Sequence, residues 1–133
     1  MPSVFLSPSL QEYNPYVNGG NEEYYMNLIA DEMVPILTSS GIEVGRNSPE
    51  QTLSQAIAQS NAGNYNLHLA IHSNAAPPSN AGNVKGADIY YSAASSQGTR
   101  AATIFANNYK LIYPYPELVK TIPTTSLAEI VRT

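Results

Sequence analysis

Two histidines and two neighbouring glutamates are the side chains here best suited to chemistry. His68 and His72 belong to the run Leu67-His68-Leu69-Ala70-Ile71-His72, which alternates like a strand. Leu67, Leu69 and Ile71 face one way, and His68, Ala70 and His72 the other. His72 closes the run and enters a polar loop, the place for a metal ligand or a catalytic imidazole. On a regular strand, four residues separate the two imidazoles by about 13 Å. Two nitrogens on one zinc must each lie about 2.1 Å from it. His68 is therefore expected as a core histidine making one hydrogen bond, and not as a co-ligand of His72.

Glu22 and Glu23 open a helical pattern. Both suit the positive end of a helix dipole, and both fall within a turn of Met26 on the apolar stripe. One of them pointing inward would need a partner such as a metal, and periodicity does not choose between them. Arg46 follows a short strand and reads as a loop anchor or a partner for a carboxylate. There is no cysteine, so any metal must be held by His, Asp, Glu or weaker oxygen ligands. No Gly-rich phosphate loop and no nucleophile elbow is present.

The elements that must position these groups follow from spacing. Val4-Phe5-Leu6 reads as a buried strand, and residues 7–21, with their prolines, Gly19 and Gly20, read as a loop. A helix is expected from Glu22 to about Leu37, with Asn21 as its cap and Pro35 kinking or ending the last turn. Ile42-Glu43-Val44 is a second strand. Ser48-Pro49-Glu50-Gln51 reads as the start of a second helix that buries Leu53, Ala56, Ile57 and Ser60 and stops at Gly63. Ala87 to Tyr91 is a further strand. A third helix over about Ser96 to Tyr113 should bury Ala101, Ile104, Phe105, Asn108 and Ile112. Pro114, Pro116 and Pro123 predict an irregular segment, with a last element near Leu127 to Val131.

Strands alternating with helices predict an α/β fold. It would be three-layered, with a mostly parallel twisted sheet flanked by helices and its site at the carboxyl ends of the strands, for which the loop after Leu6, the Arg46-Asn47 turn and His72-Ser73-Asn74 qualify. The 133 residues suit one domain, 1–133. A net charge of −4 argues against a nucleic-acid partner, and no apolar run is long enough for a membrane span. The N-terminus shows no signal-peptide pattern.

Read in order, the chain resembles a known family. The residues that carry the resemblance are Gly19-Gly20-Asn21-Glu22-Glu23, Asn27-Leu28-Ile29-Ala30, Gly41-Ile42-Glu43-Val44 and Arg46. They continue through Ile71-His72-Ser73-Asn74-Ala75 and Gly86-Ala87-Asp88-Ile89-Tyr90-Tyr91. The pattern is similar to the zinc-dependent N-acetylmuramoyl-L-alanine amidases of the amidase 3 type, peptidoglycan hydrolases found as autolysins and endolysins. The resemblance implies zinc held by Glu23 and His72, with Asn74 and Arg46 as substrate contacts. The family's first-loop histidine aligns with Leu10 in Ser7-Pro8-Ser9-Leu10. That leaves Gln11 or Glu12 as the third ligand.

The family's catalytic glutamate falls beyond Thr133 in this alignment, with Glu129 as a stand-in. The last strand and helix would then be missing, which would expose a sheet edge and favour self-association. The implied place of action is the cell wall or the extracellular space, with the protein cytoplasmic until release. The alternative reading is a peptidoglycan-binding module of the same fold with impaired catalysis.

Overall fold

The computed structural model describes residues 1–11, 15–16, 19–73, 79 and 84–133. It shows a mixed α/β protein of two compact units, residues 1–81 with Thr133, and residues 82–132. The described strands form two separate parallel sheets, each flanked by helices.

The first unit is built on β1 (Ser3–Pro8), β2 (Glu43–Arg46) and β3 (Leu67–Ile71), in the order β2-β1-β3. All pairings are parallel, with Leu6 opposite both Arg46 and Leu69, and Pro8 opposite Ile71. Parallel strands need crossovers, and helices α1 (Glu22–Ser39) and α2 (Leu53–Ala62) supply them. Because β1 is central, right-handed crossovers to either side place the two helices on opposite faces. Side-chain alternation agrees. Val4 and Leu6 pack with Ala30, Met33, Val34 and Leu37 of α1. Phe5 points the other way, where it stacks on His68, and His68 bonds Ser60 of α2. Phe5 and Leu6 are fully buried, and each contributes about 1.5–3 kcal/mol of apolar burial.

α1 differs from expectation at Pro35. The helix passes through this residue and ends four residues later at Ser39. Pro35 removes one helical hydrogen bond, but the turn beyond it carries Leu37 onto the core, which favours continuation. The end is closed by Ser40 N–H on Ile36 and Leu37 carbonyls and by Gly41 at φ +81°.

α2 starts later than the sequence suggests. Its cap is Thr52, whose hydroxyl accepts from Gln55 N while Gln55 reaches back to Thr52 N. Ser48 and Gln51 do pair, but as a turn before the helix, with Gln51 N donating to Ser48 O and Ser48 N to Gln51 Oε1. The two candidate caps compete, and the complete capping box prevails. Ala56, Ile57 and Ser60 are buried as expected, while Leu53, in the first turn, is exposed.

The second unit pairs β4 (Ala87–Ser92) with β5 (Val119–Thr124) in parallel, Ala87 opposite Val119 and Ser92 opposite Thr124. Helix α3 (Ser96–Tyr109) is the crossover, and a short helix α4 (Ala128–Val131) follows β5. β5 occupies a segment expected to be irregular. Pro123 is tolerated because β5 has a paired neighbour on one side only among the described residues. α3 also turns a different face inward. Ala102 and Ala106 are buried, whereas Ile104 and Phe105 are exposed, as is Ile112 in the turns beyond the helix. Small residues at i and i+4 let the helix approach the strands closely, and this outweighs the larger apolar side chains one position away. Among the described residues, no helix is long and apolar enough to cross a membrane.

Candidate functional site

The carboxyl ends of β1 and β3 and the start of α1 meet in the first unit. Three features build the meeting point. β1 ends in buried Ser7, Pro8 and Ser9, with Ser9 N donating to Ile71 O at 3.0 Å. β3 ends at Ile71, so His72 is the first residue past the sheet. Asn21 caps α1, its side-chain oxygen accepting from Tyr24 N at 2.8 Å, which fixes the first turn.

Within that turn, Glu22 points inward. It is 1% exposed, and its Oε1 lies 2.9 Å from His72 Nδ1 and 3.1 Å from Ser73 N. An ionised carboxylate only accepts, so the N–H of His72 and the N–H of Ser73 both donate to this one oxygen. Burying a carboxylate is costly unless it is paired and hydrogen-bonded, and these two donors meet that need alongside the helix dipole. The His72 side chain is 42% exposed, so the pair joins a buried anion to an imidazole that reaches solvent.

Tyr16 meets the residue that follows His72. Tyr16 hydrogen-bonds through its hydroxyl to Ser73 Oγ. Its ring stacks on Tyr25 at 5.1 Å, and Tyr24 meets Tyr25 edge-on. Backbone bonds from Tyr16 N to Gly20 O and from Gly19 N to Tyr16 O hold the turn. Gly20 is required twice over. It sits at φ +76°, and a Cβ there would lie 2.4 Å from the Tyr25 ring.

The remaining candidates are placed as follows. Glu23 is half-buried and lines a groove on α1 together with Arg46. The inward acid that faces His72 is Glu22, a choice periodicity left open. Arg46 is held by Asp31 Oδ1 at 2.7 Å and by the backbone and side-chain oxygens of Asn27 at 3.0 Å. It acts as the anchor between β2 and α1. Gln11 is exposed, and its N–H donates to Ser9 Oγ. Glu12 and Asn74 lie outside the described residues. Glu129 is in the first turn of α4 in the second unit. His68 bonds Ser60 Oγ at 2.8 Å and stacks on Phe5, as a core histidine does.

Sequence reasoning missed Tyr16; Ser73 and Asn47 fall in two of the strand-end places where a site is expected, without a role assigned to either. Asn47 is buried and donates from Nδ2 to Pro8 O at 3.0 Å and Ser7 Oγ at 3.4 Å, tying the turn after β2 to the end of β1. Its place directly after a strand of the parallel sheet was the available signal. Among the described residues, no group of three or more His, Asp or Glu side chains is placed to hold a metal. No family model matches the chain, and neither does any curated protein or solved structure.

Proposed function

We propose that this chain is a peptidoglycan hydrolase that cleaves the amide between N-acetylmuramic acid and L-alanine, with zinc held in part by Glu22 and His72. The observation that carries the reading is the buried Glu22 carboxylate against His72 Nδ1 at the carboxyl end of a parallel sheet. The ordered resemblance along the chain supplies the substrate class.

The donor chemistry fits the metal at two positions. A carboxylate and a neutral imidazole are ordinary zinc ligands; with Nδ1–H donating to Glu22 at 2.9 Å, the imidazole nitrogen of His72 left to hold a metal is Nε2. Glu22 takes the role the resemblance gives to Glu23. The third donor falls to Gln11 or Glu12. A zinc ion bound there would supply an activated water and polarise the scissile carbonyl.

The chain's own residues prepare that chemistry. Ser73 N–H fixes Glu22, and Glu22 fixes the His72 ring. Tyr16 holds the Ser73 side chain through its hydroxyl. Asn47 clamps Pro8 and Ser7, and so sets where the loop bearing Gln11 departs.

The test is incubation of the protein with purified cell wall, measuring new L-alanine amino termini with and without chelator. Release that stops with chelator, and is lost in His72→Ala, is expected. Cell-wall binding without release would replace this reading with that of a binding module.

A further inference from the structure

We propose that α1 of one copy of this chain docks against α3 of a second copy. Each helix has an exposed apolar face, and the two faces are opposite in charge. On α1, Leu28, Glu32 and Ile36 recur every four residues, so they stand one above the other, with Ile29 beside them. The core is served by other positions of the helix, namely Ala30, Met33, Val34 and Leu37. Ile36 is 66% exposed, and Leu28 and Ile29 are exposed as well. α1 contains no Lys or Arg. Its exposed acids are Asp31, which is shared with Arg46, and Glu32.

α3 is the counterpart. It buries Ala102 and Ala106 and leaves its larger apolar side chains, Ile104 and Phe105, outside. Arg100 is exposed one turn before Ile104. Backbone bonds from Lys110 N to Ala106 O and from Tyr113 N to Tyr109 O carry the turns past the end of the helix. Leu111 and Ile112 on those turns are 81% and 77% exposed, next to exposed Lys110. Residues 89–116 contain no Asp or Glu, and their Lys and Arg are Arg100 and Lys110. Among the described residues, no ion pair engages Glu32, Arg100 or Lys110.

Apolar side chains grouped on an exposed face mark an interaction surface. Charge selects what covers these two. Residues 82–132 hold five of the six Lys and Arg and three of the ten acids, so the chain divides by sign. An anionic lipid surface or a nucleic acid would suit α3, but the acidic α1 would repel it and keep Leu28, Ile29 and Ile36 uncovered. A second copy covers both faces, setting the stripe around Glu32 against the one bearing Arg100 and Lys110. A contact of one helix on another falls at the small end of specific interfaces, below about 1,200 Å², so the association is weak and reversible. It does not depend on whether the chain hydrolyses peptidoglycan.

Sedimentation velocity of the full chain, up to about 1 mM, reads this association, and the sedimentation coefficient should rise with concentration. Glu32→Lys on one chain, and Arg100→Glu with Lys110→Glu on another, should each weaken association about fivefold, by losing an attraction and adding a like-charge contact. Mixed in equal amounts, the two variants should associate as the wild type does, because each then finds the opposite sign on the other. Ile36→Ser and Ile112→Ser, which leave every charge in place, should also weaken association. A monomer at about 1 mM would overturn the proposal. So would association that the charge reversals or the two serine variants leave unchanged, as a contact through a sheet edge would give, or a mixture that associates no better than its components.

Discussion

Glu22 Oε1 accepts from both His72 Nδ1 and Ser73 N, at 2.9 and 3.1 Å, so one buried oxygen ties the start of α1 to the end of β3. The two groups are 50 residues apart in sequence. Removing the carboxylate takes away hydrogen bonds to a charged group, each contributing about 1.5–3 kcal/mol. Glu22→Ala should therefore lower unfolding free energy by about 2 kcal/mol in urea. Glu23→Ala, at a half-buried site, should cost clearly less. Equal losses would mean that burial of Glu22 is not a structural tie.

The Tyr16–Gly20 turn beside the site depends on Gly20. Gly20→Ala places a methyl against the Tyr25 ring at a φ that L-residues disfavour. It should cost about 1–2 kcal/mol from the backbone alone, with a further loss from the displaced Tyr16–Tyr25 stack. In a Tyr25→Ala background the steric part disappears and the backbone part stays. Thermal melts of the two single variants and the double variant separate these contributions. A fully additive cycle would contradict the clash.

Much of this architecture was readable from residue patterns. The β1-α1-β2-α2-β3 succession, the Asn21 cap and the structural role of His68 follow from apolar spacing and cap chemistry. What escaped was settled by competition between local signals. Ser48 and Thr52 both look like caps, and only Thr52 has its reciprocal partner on the helix side in Gln55. The choice of Glu22 over Glu23 rests on where the fold brings His72 and Ser73 against the first turn of α1. Likewise the inner face of α3 is set by how closely Ala102 and Ala106 can approach the strands.

The competition between caps makes a direct prediction. Thr52→Ala should destabilise the protein by about 1 kcal/mol, the usual cost of losing a cap. Ser48→Ala should cost less, because Ser48 lies before the helix. Chemical denaturation of the two variants checks the order, and a larger effect at Ser48 would move the helix start back to Pro49.

Ser48 has a different consequence. Its hydroxyl donates to the Glu50 carboxylate, and with the Glu50 backbone N–H this holds the Glu50 carboxyl below its ordinary value of 4.5. A depressed folded value means stability that is present above the ordinary carboxyl range and lost as pH falls through the folded value. The group is fully exposed, so the effect on stability is small. The clear readout is the side-chain titration by NMR. Ser48→Ala should return Glu50 toward the ordinary range, and an unchanged midpoint would contradict the contact.

Zinc content tests the central claim most directly. The protein is purified without chelator, and bound zinc per chain is measured for wild type, Glu22→Gln, Glu23→Gln and His72→Ala. The account predicts zinc in the wild type and in Glu23→Gln, and its loss in Glu22→Gln and His72→Ala. A zinc-free wild type, or loss of zinc in Glu23→Gln with retention in Glu22→Gln, would contradict it.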